Sequence, residues 1–304
     1  MLGHPISHSL SPVLHRAAYR RLGLDWTFDA VDVTSAKLPG FVAAAAEDPA
    51  WRGLALTMPL KVAVLPLLDS LDATAKLVGA ANTLLFEPSG QRHGANTDVP
   101  GLTAALVEAG VPPAESALDA TILGGGATAS SAVAALAGMG STRITLRARD
   151  AARAAGPRAV AARCAVELRV EPLDAPWPER VDVLVSTIPS PVAAAVVPDS
   201  VWSVWSAHQR PVVADVVYDP WPSPLLQRAG REGAVLVTGI DLLAHQAAGQ
   251  LRLMTGAAVD VALLRSAASE AASGGASGAA SGTASDAGPE SALGKPSASR
   301  PQRD

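Results

Sequence analysis

A lysine at the end of the segment G-L-A-L-T-M-P-L-K, Gly53 to Lys61, has the chemistry of a proton donor. Thr57 stands at the predicted end of a short strand, and Lys61 follows one short turn later. An amine there can exchange a proton with a substrate hydroxyl or carbonyl if its surroundings suit. Taken alone, the pattern fits a surface lysine better. Lys61 is, however, one of only four lysines among 24 basic residues, which favours a role needing a compact titratable amine.

An acidic residue and two hydroxyls stand near predicted helix starts. Asp98, in G-A-N-T-D-V-P-G, comes just before a helix and fits an N-cap. Ser11 followed by Pro12 fits the N-cap and first position of another helix. Capping does not explain why Ser9 adds a second hydroxyl beside His8.

The run I-L-G-G-G-A-T-A, Ile122 to Ala129, places glycines between a predicted strand and a predicted helix. Missing Cβ atoms let the backbone approach a pyrophosphate, and the helix N-terminus supplies N–H donors and a positive dipole. Gly124 and Gly126 have the G-x-G-x-x-A spacing of such loops. The sequence predicts a dinucleotide site, with a plain tight turn as the alternative.

Arginines follow the next predicted strand, in L-R-A-R-D from Leu146 to Asp150. A site for NAD usually carries Asp or Glu there for the ribose hydroxyls, whereas a guanidinium can bind a 2′-phosphate. Arg149 therefore favours NADP. Two alternatives stay open: Arg147, Arg149 and Arg153 fit solvated surface charges, and Asp150 keeps NAD in play.

The composition excludes several classes of protein. The 304 residues are 49% hydrophobic with a net charge of -4, enough apolar content for a large core and no basic surplus for nucleic acid. A single cysteine, Cys164, allows no intrachain disulfide, which indicates a reducing compartment and a cytoplasmic location. We expect no membrane partner, because there is neither a signal peptide nor a run of ~18 apolar residues. The six histidines lack metal-ligand spacing, so no metal is expected.

Strands alternate with helices along the chain, which predicts an α/β protein with a parallel sheet covered on both faces. The alternation is most regular after about residue 101. A strand should also lead into Gly3, yet only Met1 and Leu2 precede it, so the first domain is expected to lack that strand or to begin further upstream. The Ala/Ser/Gly-rich residues from about 266 are expected to be disordered.

Seven segments together resemble the shikimate dehydrogenase family. They occur in the family's order across about residues 1–265. In chain order they are G-H-P-I-S-H-S-L-S-P, T-M-P-L-K, G-A-A-N-T, G-A-N-T-D, the glycine loop, D-V-V-Y-D-P and G-I-D-L-L-A-H-Q-A.

This resemblance implies a two-domain architecture and a reaction. Residues 1–100 would form an α/β substrate domain, 101–238 a Rossmann-like NADP domain and 239–265 helices that return to the first domain, before a disordered tail over 266–304. The reaction would be the reversible reduction of 3-dehydroshikimate to shikimate by NADPH, in aromatic amino acid biosynthesis. A homodimer is left open.

The resemblance also implies site residues. Lys61 would be the acid/base and Asp98 its partner, an opposite charge that favours the protonated amine. The implied substrate-binding residues are Ser9, Ser11 and Tyr218 at the carboxylate, and Thr57, Asn82 and Gln246 at ring hydroxyls or the carboxylate. The implied cofactor-binding residues are Gly124, Gly126, Ala127, Arg149, Arg153, Val216 and Gly239.

Three positions depart from the family's pattern. Ala55 stands where the family commonly has Asn or Ser, Ala127 replaces a glycine of the loop, and Leu242 stands where Met is frequent near the nicotinamide. These changes bear on affinity more than on activity. Two alternatives remain: an NAD-dependent quinate or aminoshikimate dehydrogenase, and a catalytically silent sensor that binds pathway metabolites or NADP.

Overall fold

The computed structural model describes residues 1–112, 118–208 and 210–278. Within that part of the chain the helices are α1 Ser11–Leu22, α2 Leu38–Glu47, α3 Leu60–Ala63, α4 Ala73–Val78, α5 Asp98–Glu108, α6 Ala127–Gly138, α7 Ala155–Arg163, α8 Ser190–Val196, α9 Asp199–His208, α10 Pro224–Arg231, α11 Gly239–Thr255 and α12 Val261–Gly278, with 3₁₀ turns at Leu65–Leu67 and Ala151–Ala154. The strands are β1 Leu2–Gly3, β2 Val31–Asp32, β3 Gly53–Ala55, β4 Ser70–Leu71, β5 Thr83–Phe86, β6 Arg92–Ala95, β7 Ala120–Leu123, β8 Arg143–Arg147, β9 Glu167–Glu171, β10 Val183–Ser186, β11 Val212–Asp215 and β12 Val235–Val237.

Six parallel strands form the larger sheet, in the order β12-β11-β10-β7-β8-β9. The order reverses at β7, so the carboxyl ends of β7 and β10 flank a crevice of the kind that binds ligands in open α/β sheets. One face packs on the small residues of α6, and the other packs on Trp202 and Trp205 of α9. The predicted parallel sheet with two covered faces is confirmed.

The first hundred residues contain a four-stranded mixed sheet, ordered β3-β5-β6-β4, and the parallel pair β1-β2. The expectation of a missing first strand is wrong, because Leu2 and Gly3 pair with Val31 and Asp32, and Leu2 also bridges to Leu56. Leu2 is also fully buried in the apolar core of this region.

Helix α5 crosses the predicted boundary between residues 100 and 101. Its buried residues Leu102, Ala105 and Leu106 join the core beneath the six-stranded sheet. Its first residue, Asp98, instead turns toward the first hundred residues through a hydrogen bond with Asn82. The helix therefore contributes to both halves of the chain and places Asp98 where they meet.

The C-terminal helices return to the start of the chain, as predicted. Ala244, Ala247 and Leu251 of α11 share an apolar cluster with Leu14 and Ala18 of α1. Helix α11 begins with a capping box, in which the Thr238 and Asp241 side chains accept each other's backbone N–H groups.

The expected start of disorder at residue 266 is too early. Helix α12 continues to Gly278, and Leu264 and Ala268 are fully buried against the cluster of α1 and α11. Small alanines let the two helices approach closely, so a stretch with little hydrophobic bulk still packs. The rest of the predicted tail, residues 279–304, lies outside the described residues.

Two truncations should separate the packed helix from the residues beyond it. Ending the chain after Gly278 should leave the melting temperature unchanged, because the composition of 279–304 offers little apolar surface to bury. Ending it after Ser266 should fray α12 and expose Leu264, a loss of about 2–4 kcal/mol and roughly 5–10 °C. Calorimetry of both proteins tests this, and equal melting temperatures would contradict the packing of α12.

A buried histidine in α1 should make stability depend on pH. The His15 ring stacks on Phe28 with centroids 3.8 Å apart, and its Nδ1 hydrogen bonds to the Ser11 carbonyl. Burial lowers the pKa of His15 to about 4. Because the unfolded chain binds this proton at about pH 6.5, stability is full above that pH and falls on acidification toward pH 4, by about 3 kcal/mol in total.

Urea unfolding of the wild type and His15→Gln at about pH 7 and about pH 4.5 measures this contribution. Glutamine does not titrate in that range, so the variant should lose less stability on acidification. The same loss in both proteins would contradict the burial of a neutral imidazole.

Candidate active site

Lys61 and Asp98 form a nearly buried ion pair. Short helix α3 carries the lysine, α5 begins with the aspartate, and Lys61 Nζ lies 2.6 Å from Asp98 Oδ2. Their side chains are 13% and 7% exposed. The surface-lysine interpretation of Lys61 is therefore wrong, and the amine is shielded from solvent and held by a charge-assisted hydrogen bond.

Asp98 is not an N-cap, because the Asn96 side chain takes that task. Asn96 Oδ1 accepts the backbone N–H groups of Asp98 and Val99, at 3.0 and 3.2 Å. The Asp98 carboxylate is thereby left for Lys61 and for Asn82, whose Nδ2 donates to Asp98 Oδ1 at 2.9 Å.

Asn82 connects the ion pair to the C-terminal helices. Its amide nitrogen also lies 2.8 Å from Thr97 Oγ1 and 3.1 Å from Gln246 Oε1, and its Oδ1 accepts from the Thr97 N–H. The side chain is 1% exposed and lies behind Asp98 rather than on the wall of the adjoining cavity. Asn82 thus fixes Asp98 and Gln246 relative to each other.

A cavity of about 160 Å³ opens in front of the ion pair. Its lining comes from the first hundred residues, from the start of α6, from the loop after β11 and from α11. Eight of the predicted site residues line it, namely Ser9, Thr57, Lys61, Asp98, Val216, Tyr218, Gly239 and Gln246. Leu242, a departure from the family's pattern, also lines it, whereas Ala55 packs in the apolar cluster around α1 and α11.

Ser9 and Tyr218 supply hydroxyls to the wall of this cavity, whereas Ser11 is buried and does not line it. Ser11 is the first residue of α1 rather than its N-cap, because Leu10 occupies the cap position. Its Oγ is fully buried and has no hydrogen-bond partner among the described residues, while Ser9 Oγ accepts the Ser11 N–H at 3.4 Å. Burial raises the pKa of Tyr218, against opposing hydrogen bonds with Leu10 and Ser9, so its hydroxyl stays protonated and able to donate.

The glycines of the loop after β7 serve different purposes. Gly124 has φ +115°, and a Cβ there would lie 2.3 Å from Thr187 Oγ1. A Cβ at Gly125 would lie 2.7 Å from the Arg153 carbonyl oxygen, so both glycines allow close packing of the protein itself. Around Gly126 there is open space, and no side chain caps the N-terminus of α6 that begins at Ala127. The free backbone N–H groups beside this open space fit a pyrophosphate. A plain tight turn would not need such a space.

The three arginines near β8 have different environments. Arg147 is fully buried, pairs with Glu171 at 3.1 Å and lies 4.0 Å above the Trp177 ring, so it is structural and not a surface charge. Arg149 and Arg153 are exposed, and no ion pair of theirs occurs among the described residues. Their guanidinium groups are available to an incoming phosphate.

The Asp150 carboxylate already has a hydrogen-bond partner in its own loop. Its carboxylate accepts the Ala152 N–H at 2.9 Å and caps the 3₁₀ turn over Ala151–Ala154. This contact explains the carboxylate without a ribose. The residues present therefore fit a 2′-phosphorylated dinucleotide: Gly126 and the start of α6 at the pyrophosphate, and Arg149 with Arg153 at the 2′-phosphate.

Comparison with known proteins shows which family the chain belongs to. The model of the shikimate dehydrogenase substrate binding domain matches residues 1–84. The shikimate dehydrogenase (NADP(+)) of Methanopyrus kandleri is 35% identical and aligns with 89% of this chain and 94% of its own length. The chain belongs to the shikimate dehydrogenase family.

Solved structures of the family have the same fold. The shikimate dehydrogenase of Mycobacterium tuberculosis matches with a TM-score of 0.77 and 38% identity, covering 88% of this chain and 97% of that one. The shikimate 5-dehydrogenase of Thermus thermophilus, solved with NADP(H) and shikimate, matches with a TM-score of 0.73 and 33% identity, covering 89% and 97%. The α/β fold class is confirmed, and the family resemblance of the sequence with it.

Sequence reasoning missed some of the cavity lining. His8 and Thr128 line it although neither was singled out as a site residue, and Thr128 brings the start of α6 to the same cavity as Lys61. The position of Thr128 one residue beyond Ala127 is the signal that could have found it. Among the described residues there is no cluster of three or more potential metal ligands and no helix able to span a membrane.

Proposed function

We propose that this member of the shikimate dehydrogenase family catalyses the reversible NADPH-dependent reduction of 3-dehydroshikimate to shikimate, in aromatic amino acid biosynthesis. The observation that carries the proposal is the Lys61–Asp98 pair in a cavity also lined by Thr128 of α6 and Val216 after β11. A proton donor therefore faces the place where the two halves of the chain meet. Relatives named shikimate dehydrogenase (NADP(+)) support the same reaction.

Lys61 is the proposed acid/base. NADPH, when bound, supplies the hydride that reduces the substrate ketone. The ketone oxygen gains negative charge in that step, and the Lys61 ammonium stabilises it and donates the proton. Asp98, 2.6 Å away, orients the amine through a charge-assisted hydrogen bond, and Asn82 keeps Asp98 in place.

The polar groups around the cavity suit a polyhydroxylated acid. We propose that the hydroxyls of Ser9, Ser11 and Tyr218 bind the carboxylate; the buried Ser11 Oγ, without a partner in the described chain, supports this role. Thr57 and Gln246 would contact ring hydroxyls, with Asn82 acting from behind them.

The two halves of the chain would bind different ligands. Residues 1–100, together with the C-terminal helices, would bind the substrate, and residues 101–238 would bind NADPH through Gly124, Gly126, Ala127, Arg149, Arg153, Val216 and Gly239. The enzyme would act in the cytoplasm on a small-molecule substrate, since the single Cys164 suits a reducing compartment.

Oxidation of shikimate and of quinate, each with NADP+ and with NAD+, tests the proposal against its alternatives. Shikimate with NADP+ should give the highest kcat/KM. A preference for NAD+ or quinate would favour the alternative of an NAD-dependent quinate or aminoshikimate dehydrogenase. A similar protein, the shikimate 5-dehydrogenase of Listeria monocytogenes, was solved with shikimate and NAD. Ligand binding without turnover would favour a silent sensor.

A further inference from the structure

The segment Asp215–Tyr218, which leaves β11, reaches the cavity at two points. Val216 and Tyr218 both line the cavity, on either side of Val217. The inference below rests on the proposed function, because Tyr218 is assigned there to the substrate and Val216 to the cofactor. The interactions that fix this short segment therefore position both the substrate contact, Tyr218, and the cofactor contact, Val216.

Asp215 lies at the start of the segment, inside the protein. It is 1% exposed, and it is the last residue of β11, beside Ser186 of β10. Its Oδ2 accepts the Ser190 hydroxyl at 3.0 Å, and its Oδ1 accepts the Val217 N–H at 3.3 Å. One carboxylate thus connects the first residue of α8 to the backbone between Val216 and Tyr218.

Burying the Asp215 carboxylate costs desolvation free energy. Burial raises the pKa of Asp215, and hydrogen bonds from Ser223, the Val217 N–H and Ser190 oppose that shift. Ser223, at the other end of the 215–223 loop, caps α10 by accepting the Leu226 N–H. An apolar residue would fill a strand end at less cost in desolvation.

Two further contacts confine the same segment. A Cβ at Gly239 would lie 2.8 Å from the carbonyl oxygens of Val216 and Val217, so the start of α11 lies directly against the segment. Tyr218 faces the loop before α1, where its ring centroid lies 6.5 Å from that of His8, and Ser9 lines the same cavity. The segment is held between β11, α11 and the loop before α1, and Asp215 fixes its first turn.

We propose that Asp215 is a positioning residue, whose carboxylate holds the Val216–Tyr218 backbone so that Tyr218 meets the substrate and Val216 meets the nicotinamide. Asp215 itself touches neither ligand. Its loss should therefore act through Tyr218 and Val216, and not independently of them.

A double-mutant cycle of Asp215→Ala and Tyr218→Phe tests the proposal. Asp215→Ala should raise the KM for shikimate about tenfold and lower kcat, and adding Tyr218→Phe should change the KM by at most about twofold more, because the hydroxyl is already misplaced. Asp215→Asn keeps the acceptor for the Val217 N–H and should restore the KM to within about threefold of the wild type. Effects that multiply in the double variant would overturn the proposal.

Asp182→Ala is the matched control, at the opposite end of neighbouring strand β10. Its carboxylate accepts the Asp119 N–H at 2.9 Å and is far along the strand from Ser186. This variant should keep the wild-type KM whatever its melting temperature. A KM raised as much by Asp182→Ala as by Asp215→Ala would reduce Asp215 to a general structural role and overturn the proposal.

Hydrogen–deuterium exchange separates this inference from the proposed function. The amides of residues 216–218 should exchange faster in Asp215→Ala than in the wild type, while those of β7 stay protected. If the wild type did not oxidise shikimate, the proposed function would fail, and exchange would still decide the positioning. Unchanged exchange at 216–218 would overturn it.

Discussion

Replacing Lys61 with alanine is expected to lower kcat about a thousandfold while changing the dissociation constant for shikimate far less. The ammonium acts mainly on the oxygen that gains charge in the transition state, so its removal costs turnover more than ground-state binding. Steady-state kinetics together with calorimetric binding of shikimate separate the two effects. Near-normal kcat with weakened binding would contradict the acid/base assignment.

Two variants control for the ion pair. Lysine-to-alanine leaves the buried Asp98 carboxylate unpaired, which can destabilise the fold. Lys61→Arg keeps a cation beside Asp98, yet it should also lose most of its turnover because a guanidinium does not titrate in the useful range. Lys76→Ala removes an exposed lysine from α4 and should behave as the wild type.

Arg149→Ala is expected to raise the KM for NADPH at least tenfold and to leave the KM for NADH nearly unchanged. A charge-assisted hydrogen bond to the 2′-phosphate contributes about 1.5–3 kcal/mol, and each 1.4 kcal/mol corresponds to about a factor of ten. NADH has no phosphate at that position, so it loses nothing. Kinetics with both cofactors on the same preparation measure the difference.

Arg158→Ala supplies the control for Arg149, because Arg158 is another exposed arginine nearby, on α7. It should alter neither KM. Equal weakening of NADPH and NADH by Arg149→Ala would indicate a structural role for Arg149, and a wild type that prefers NADH would contradict the assignment of NADP.

The regular part of the fold was predictable because its signals are local. The glycine loop and the apolar strands around it indicate the parallel sheet, and Gly126 beside open space agrees with a pyrophosphate site. Strand β9, E-L-R-V-E, was not predicted, since it is an edge strand whose charged residues alternate and bury little. The packing of α12 escaped prediction because alanines fit close helix contacts yet resemble a low-complexity tail.

The site itself depended on contacts that are distant in sequence. Lys61 fits a surface residue until Asp98, thirty-seven residues later, meets it at 2.6 Å. The sequence also fits an exposed Arg147, but the side chain is buried: it lies over the Trp177 ring and donates to the carbonyl oxygens of residues 175 and 176. Only the family resemblance joined Lys61 to Asp98 in advance, because neither spacing nor periodicity relates the two positions.

The loss of NADPH absorbance when 3-dehydroshikimate is added to the purified 304-residue chain tests the central claim most directly. The wild type should consume NADPH in proportion to the 3-dehydroshikimate supplied, and the Lys61→Arg protein, still folded, should consume it at about a thousandth of that rate or less. No consumption by the wild type, or equal rates in the two proteins, would contradict the account.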